Sequence, residues 1–98
     1  SQIPVILTGD FNTDAGSPPY ELMAEHLQDA WRTAEKREGP EGTFHGFRGT
    51  PGSARIDWIL YRGFLKVSQA STVTRNEDGR YPSDHFPVTA VLLPAGIK

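Results

Sequence analysis

The sequence has 98 residues, 37% hydrophobic and 22% charged, a balance typical of one small globular domain rather than of a disordered chain. Its formal charge of −2 argues against a non-specific duplex binder, which needs a basic face to contact phosphates. The absence of cysteine excludes disulfides and thiolate metal sites, and no apolar run reaches the length of a membrane span.

The first half of the chain predicts one strand and two helices. A β-branched, apolar run over residues 3–8 indicates a buried strand. Because the chain opens directly on this strand, we expect residues 1–98 to be the C-terminal portion of a longer catalytic domain. Ser17, followed by two prolines, marks a helix start with its hydroxyl as the cap, and Asp29 is predicted to cap a second helix over 30–37.

The second half predicts an irregular loop and three strands. Residues 42–54 are rich in glycine and indicate an extended loop rather than a packed element. Apolar runs over 55–61, 65–74 and 88–93 indicate strands, and Asp-Gly within 76–80 indicates a hairpin turn. Strands separated by helices and loops favour an α+β fold, a mixed β-sheet with helices on one side.

Three acids lie at predicted strand ends. Asp10 follows the first strand, Asp57 interrupts the middle one, and Asp84 precedes the last. Catalytic groups concentrate where strands emerge into loops. If the three strands are neighbours in one sheet, these acids converge at one edge, together with Asn12 and His85.

Such convergence favours a bound cation. Two carboxylates about 4 Å apart repel by roughly 4 kcal/mol at an effective dielectric constant near 20, so one is protonated or a cation lies between them. Oxygen ligands favour Mg²⁺ or Mn²⁺, and Asp84 and Asp10 are the candidate metal ligands. Such an ion suits a phosphoryl centre, whose oxygens it polarises.

The polar residues around this predicted ion divide into roles. His85 can turn toward a phosphate oxygen while Asp57 accepts a hydrogen bond from the other ring nitrogen. Asn12 offers an uncharged amide donor to the phosphate, and Asp10 can accept a proton from an attacking water.

Three further residues are candidate substrate contacts, each with a structural alternative. His45 lies in a glycine-flanked aromatic loop that could clamp a base or lipid, or could simply pack. Arg55 could bind phosphate or form a structural ion pair. Tyr81 precedes the Ser-Asp-His segment and could contact substrate or lie in a surface loop.

Three motifs together resemble the endonuclease/exonuclease/phosphatase superfamily: ILTGDFNTD, RIDWIL and YPSDHFPVTAVL, in this order. GTFHGF before RIDWIL is most similar to the bacterial branch near the deadenylase group. The resemblance implies the C-terminal half of a four-layer α/β sandwich of the deoxyribonuclease I type. It gives Asp10 and Asn12 roles in water activation and transition-state contact, makes Asp57 the partner of His85, and makes Asp84 a metal ligand. It makes His85 the base or acid that contacts the phosphate, so Asp10 and His85 are both candidates for the base.

The resemblance also implies an activity, a Mg²⁺-dependent phosphoester hydrolase in which water attacks phosphorus in line. The substrate could be nucleic acid, a phospholipid head group or a small phosphate ester. The family's N-terminal metal-binding Asn and Glu have no counterpart in these residues, so we expect little activity from them alone. A non-catalytic binding or scaffold module is the alternative. We expect the missing N-terminal half, or a second copy, to cover the sheet.

Overall fold

Two small β-sheets and two short helices form the part of the chain that the computed structural model describes, residues 3–50, 52 and 54–95. This arrangement confirms the predicted α+β class. None of the described helices is long and apolar enough to cross a membrane. In chain order the elements are β1 (Val5–Asp10), α1 (Pro18–Ala24), β2 (Gln28–Asp29), α2 (Ala30–Thr33), β3 (Lys36–Glu38), β4 (Asp57–Arg62), β5 (Leu65–Thr72) and β6 (Val88–Pro94).

The strands divide between two three-stranded sheets. In the first, β4 lies between β1 and β2, and both pairings are antiparallel. In the second, β5 is parallel to β3 and antiparallel to β6, with a bulge between Val67 and Gln69. The expectation that the three strands with site acids share one sheet is therefore wrong. Because β1 and β2 occupy both edges of β4, the last strand pairs with β5 instead.

β4 is buried on both faces, which explains why its sequence is almost continuously apolar. One face, through Trp58 and Leu60, packs against Tyr20 of α1. The other face, through Tyr61, packs against Val67 of β5 and Ala30 of α2. Each fully buried large side chain contributes roughly 1.5–3 kcal/mol, so this strand joins the two sheets into one folded unit.

The two helices begin where the sequence predicts. α1 starts at Pro18, but the Ser17 hydroxyl makes no capping hydrogen bond and has no partner among the described residues, so the predicted hydroxyl cap is wrong. The Asp29 carboxylate accepts a hydrogen bond from Trp31 N at 3.0 Å, which confirms the predicted cap of α2.

α2 ends at Thr33, four residues earlier than predicted. Beyond it, Glu35 N donates to the Val67 carbonyl at 3.0 Å, and Lys36–Glu38 pair with β5 as strand β3. Pairing with a strand distant in sequence outweighs the modest helix propensity of this charged stretch.

All four predicted strands are present, with ends shifted by up to two residues. The shift makes Asp10 the last residue of β1 and Asp57 the first residue of β4. The predicted turn over 76–80 is confirmed: Asp78 (φ 54°) and Gly79 (φ 78°) are left-handed, as a type I′ turn requires.

A buried ion pair secures the chain segment that enters β4. The Arg55 guanidinium donates to the Asp29 carboxylate at 3.2 and 2.5 Å, and the two side chains are 3% and 4% exposed. Tyr20 Oη donates to the same carboxylate at 2.6 Å. Burial, reinforced by this hydrogen bond, raises the pKa of Tyr20 to about 12. The substrate-contact interpretation of Arg55 is wrong, because its guanidinium is enclosed and engaged; the ion-pair alternative is confirmed.

Replacing Asp29 should destabilise the fold strongly. Asp29→Ala leaves the Arg55 charge buried and unpaired, and we expect the free energy of unfolding to fall by about 3–5 kcal/mol in denaturant titrations. Glu41→Gln is the matched control. Its carboxylate lies 3.3 Å from Arg55 Nε but is 56% exposed, so its loss should cost under about 1 kcal/mol. Similar losses in both variants would contradict the assignment.

Candidate active site

Asp10 and Asp57 come together because β1 and β4 are antiparallel and in register. Asp10 lies directly opposite Asp57, at the end of the first sheet. The pairing continues one step further, since Phe11 N donates to the Ile56 carbonyl at 2.8 Å. The Asp57 side chain is 15% exposed and that of Asp10 is 42% exposed. We call this end of the sheet the rim. Asp57 is held inside the rim, and Asp10 faces outward from it.

His85 reaches these acids from the second sheet, in the segment just before β6. Its Nδ1 donates a hydrogen bond to Asp57 Oδ2 at 2.8 Å. Its Nε2 lies 3.7 Å from Asp10 Oδ2 and 3.9 Å from Asp84 Oδ1. Three carboxylates thus surround one imidazole, and two sheets rather than one bring them together.

The backbone around His85 is fixed by local hydrogen bonds. Ser83 Oγ accepts from His85 N at 3.1 Å, a short-range turn that favours this chain direction. The Asp84 carbonyl accepts from His45 N and Gly46 N at 2.9 and 3.1 Å. These bonds leave the Asp84 carboxylate free to face the imidazole, at 45% exposure.

Asn12 lies at the same rim, two residues beyond Asp10. Its backbone N donates to Asp10 Oδ1 at 2.9 Å, and its φ of 56° is left-handed, a conformation that asparagine tolerates. The residue is exposed, and its side-chain amide makes no hydrogen bond within the described part of the chain. The tight turn therefore presents this amide to solvent near the acids, and its contact with phosphate stays a prediction.

The acids favour the charged form of the imidazole. The hydrogen bond to Asp57 raises the pKa of His85 above its usual 6.5, against the opposing effect of burial. The negative charges of Asp57, Asp10 and Asp84 raise this pKa further. At any given pH the imidazolium, which can donate from Nε2, is therefore more populated than in an unperturbed histidine.

Three residues of the site place possible metal-ligand atoms close together. Ligand atoms of Asp10, Asp57 and His85 all lie within 4.8 Å of one another. Within this group the Asp57 oxygen and His85 Nδ1 are already bonded to each other. The two half-exposed carboxylates, Asp10 and Asp84, remain available as ligands, and oxygen is the donor that Mg²⁺ and Mn²⁺ prefer.

His45 is not part of this cluster. It is 1% exposed and stacks on Phe86 with ring centroids 4.2 Å apart. Its Nδ1 accepts a hydrogen bond from Gly49 N at 3.3 Å. The substrate-clamp interpretation of His45 is wrong because an enclosed ring cannot stack on a ligand; the loop-packing alternative is confirmed.

Tyr81 lies against the buried ring of His45, with centroids 4.6 Å apart. It also lines a surface cavity of about 460 Å³ beside Arg75 and Arg80. Among the described residues it makes no hydrogen bond to Asp84 or His85, so a substrate contact by Tyr81 stays a prediction.

The sequence reasoning missed two residues of the GTFHGF loop. Thr43 is 0% exposed and contacts the backbone at Asp57, and Phe44 places its ring edge-on to the His85 imidazole, with centroids 5.4 Å apart. The expectation of an unpacked loop over 42–54 is therefore wrong at its start. The apolar residues of this loop have no periodicity that would indicate burial. The one available signal is the similarity of GTFHGF to a motif of the family.

Comparisons with known proteins identify the family of the chain. Residues 1–85 match the model of the Endonuclease/Exonuclease/phosphatase family. A solved family member from Bacteroides thetaiotaomicron is 31% identical, with a TM-score of 0.85 over 94% of this chain and 36% of its own. A mannosyl-6-phosphatase from Bacteroides thetaiotaomicron VPI-5482 is 32% identical, with a TM-score of 0.81 over 93% of this chain and 38% of its own.

A functionally unknown conserved protein from Enterococcus faecalis V583 is also similar. It is 35% identical, with a TM-score of 0.83 over 93% of this chain and 36% of its own. A comparison with curated proteins gave no match. The family predicted from the motifs is confirmed, and the chain spans 36–38% of the length of these three structures.

The raised pKa of His85 should make stability depend on pH. Because the folded state binds this proton more tightly than the unfolded chain, protonation stabilises the fold. The contribution is complete below about pH 6.5, the unfolded value, and is lost as the pH rises through the higher pKa of the folded state. Asp57→Asn removes the main cause of the raised pKa. The free energy of unfolding, measured by denaturant titration, should therefore fall less steeply with pH in this variant. The exposed His26 provides the control, His26→Gln, which should keep the wild-type slope; an unchanged slope in Asp57→Asn would contradict the assignment.

Proposed function

The chain belongs to the endonuclease/exonuclease/phosphatase family, whose members are phosphoester hydrolases, and we propose that it supplies catalytic residues for metal-dependent hydrolysis of a phosphoester. The observation that supports this most directly is the His85 imidazole, bonded to Asp57 and flanked by Asp10 and Asp84. The proposal concerns the protein at its full natural length, since the solved relatives are more than twice as long as this chain.

The residues of the cluster divide the work of hydrolysis. A water oxygen forms the new bond to phosphorus while the bond to the leaving oxygen breaks. The products are the phosphate and an alkoxide, which takes a proton from solvent to become the alcohol. Asp10 accepts the proton of the attacking water, because its carboxylate is exposed at the rim. His85 donates from Nε2 to a phosphoryl oxygen, and Asp57 keeps the ring in the orientation that allows this. Asn12 adds an uncharged donor from the same turn.

We propose that Asp84 holds a Mg²⁺ or Mn²⁺ ion, with Asp10 as a second ligand. When bound, such an ion polarises the phosphoryl oxygens and stabilises charge on the leaving oxygen. The carboxylates of Asp84 and Asp10 are 45% and 42% exposed, which leaves room for water ligands and for ligands outside this chain.

A non-catalytic binding or scaffold module is the alternative function. A scaffold has no use for three carboxylates held around one imidazole, because their mutual repulsion lowers stability. Retention of Asp10, Asn12, Asp57, Asp84 and His85 at one rim therefore favours the enzyme.

We propose that the substrate is a phosphate ester. Assays with a panel of phosphate esters would identify its leaving group. One structural neighbour is a mannosyl-6-phosphatase, which supports including sugar phosphate monoesters beside nucleic acid and phospholipid head groups. The residues of the cluster contact the phosphate itself, so they do not select among these leaving groups.

We also propose that the rest of the natural domain covers the open sheet edges. β1 and β6 are edge strands of their sheets, and they carry exposed apolar side chains, Ile6 at 55%, Val91 at 50% and Leu93 at 41%. A second copy is the alternative partner. Sedimentation of the full-length protein distinguishes the two, because a monomer supports intramolecular cover and a dimer supports the second copy.

His85→Ala should lower kcat by about 10²–10⁴-fold at full natural length, because it removes a charged donor to the phosphate. The matched control is His26→Ala, since His26 is exposed beyond the end of α1 and should leave kcat unchanged. Thermal melting should show both variants folded. A His85→Ala variant with wild-type kcat against the whole substrate panel would remove the assigned role.

Metal binding should raise the melting temperature. At a concentration about 100 times the dissociation constant, Mg²⁺ or Mn²⁺ should add about 2.7 kcal/mol to the free energy of unfolding. Asp84→Asn should reduce this gain, because it removes the proposed ligand charge. Asp78→Asn is the control, since Asp78 lies in the exposed turn and asparagine tolerates its φ of 54°. Equal gains in Asp84→Asn and wild type would count against the metal site.

A further inference from the structure

Thr43 is wholly buried between the two halves of the site. Its backbone amide, its carbonyl and its hydroxyl oxygen all take part in hydrogen bonds. Its Oγ1 accepts hydrogen bonds from Ile56 N at 3.1 Å and Asp57 N at 3.3 Å. Its carbonyl accepts from Phe86 N at 2.7 Å, and its own N donates to the Ala54 carbonyl at 3.1 Å. One residue thus holds the start of β4 and the segment before β6.

The side chains of Asp57 and His85 must meet across two separate sheets. Thr43 bonds the backbone of Asp57 itself and the backbone of Phe86, the residue directly after His85. A relative shift of about 1 Å between these segments would stretch the 2.8 Å bond between the two side chains beyond hydrogen-bonding distance.

The neighbouring backbone strengthens this connection. Phe44 and His85 form an isolated antiparallel bridge, so the chain after Thr43 continues alongside the site segment. On the other side, Gly42 lies so close to the carbonyl oxygen of Gly52 that an added Cβ would be 1.8 Å from it. The backbone beside Thr43 is therefore packed against another part of the same loop on one side and against the His85 segment on the other.

We propose that Thr43 is a positioning residue whose hydroxyl sets the Asp57–His85 contact. The hydroxyl is the necessary part, because it accepts from both amides at the start of β4. Valine has nearly the same shape but lacks this acceptor, whereas serine keeps it. The consequence for catalysis rests on the proposed function; the hydrogen bonds themselves can be measured without turnover.

The experiment is proton NMR of the protein at its full natural length, treated with a chelator and without substrate. The wild type should show a low-field resonance for the His85 Nδ1 proton, which disappears in His85→Gln. Thr43→Val should lose this resonance or shift it upfield, and amide exchange at Asp57 should become roughly tenfold faster. Thr43→Ser should keep both signals near wild type. Thr43→Ala also lacks the oxygen and repeats the test if the valine variant does not fold.

Thr72→Val is the matched control. Thr72 is likewise buried, at 4% exposure, but its hydroxyl has no partner among the described residues, so its removal should leave both signals unchanged. A Thr43→Val protein with the wild-type resonance and wild-type exchange would overturn the proposal. An equal loss of the resonance in Thr72→Val would also overturn it, because the effect would then come from a general loosening of the fold. Neither readout depends on hydrolysis, so a failure of the proposed function leaves this test intact.

Discussion

The hydrogen bond between His85 Nδ1 and Asp57 Oδ2 is the contact on which the site depends, because its partners belong to different sheets. Asp57 opens β4 at the centre of the first sheet, while His85 precedes the edge strand of the second. A hydrogen bond to a charged group contributes about 1.5–3 kcal/mol, and less here because both side chains retain some exposure. Its greater effect is geometric, since it directs Nε2 toward the two outer carboxylates.

Carboxylates in this small chain serve two purposes, and their partners distinguish them. Asp29 is enclosed with a guanidinium and a phenol, so its charge is compensated inside the fold. Among the described residues, the positively charged partner of Asp10 and Asp84 is a single imidazole, and both carboxylates remain half exposed. Even with that imidazole protonated, the three acids of the site carry an excess of negative charge. The excess disfavours an empty site and favours a cation, which is the electrostatic basis of the proposed metal.

The sequence predicts local structure better than long-range pairing. Asp29 as a cap, the Asp78-Gly79 turn and the apolar strands follow from patterns of a few residues, and the structure confirms them. The division into two sheets and the strand Lys36–Glu38 depend on pairing partners at least 16 residues away in sequence, which local propensity does not encode. The sequence predicts that the acids lie together, but it does so by placing all three strands in one sheet, whereas they belong to two. Arg55 and His45 were ambiguous because their roles depend on burial, and burial is decided by the whole fold.

The core and the site are structurally coupled, because β4 belongs to both. Its side chains fill the core on either face, and its first residue holds the imidazole. The segment that enters it is fixed by the Arg55 ion pair and by a hydrogen bond from Trp58 Nε1 to the Arg55 carbonyl at 2.6 Å. The position of Asp57 is therefore determined in part by buried groups of the core. A site made of exposed loops would tolerate core changes, whereas here the precision of the His85 contact depends on how firmly the start of β4 is held.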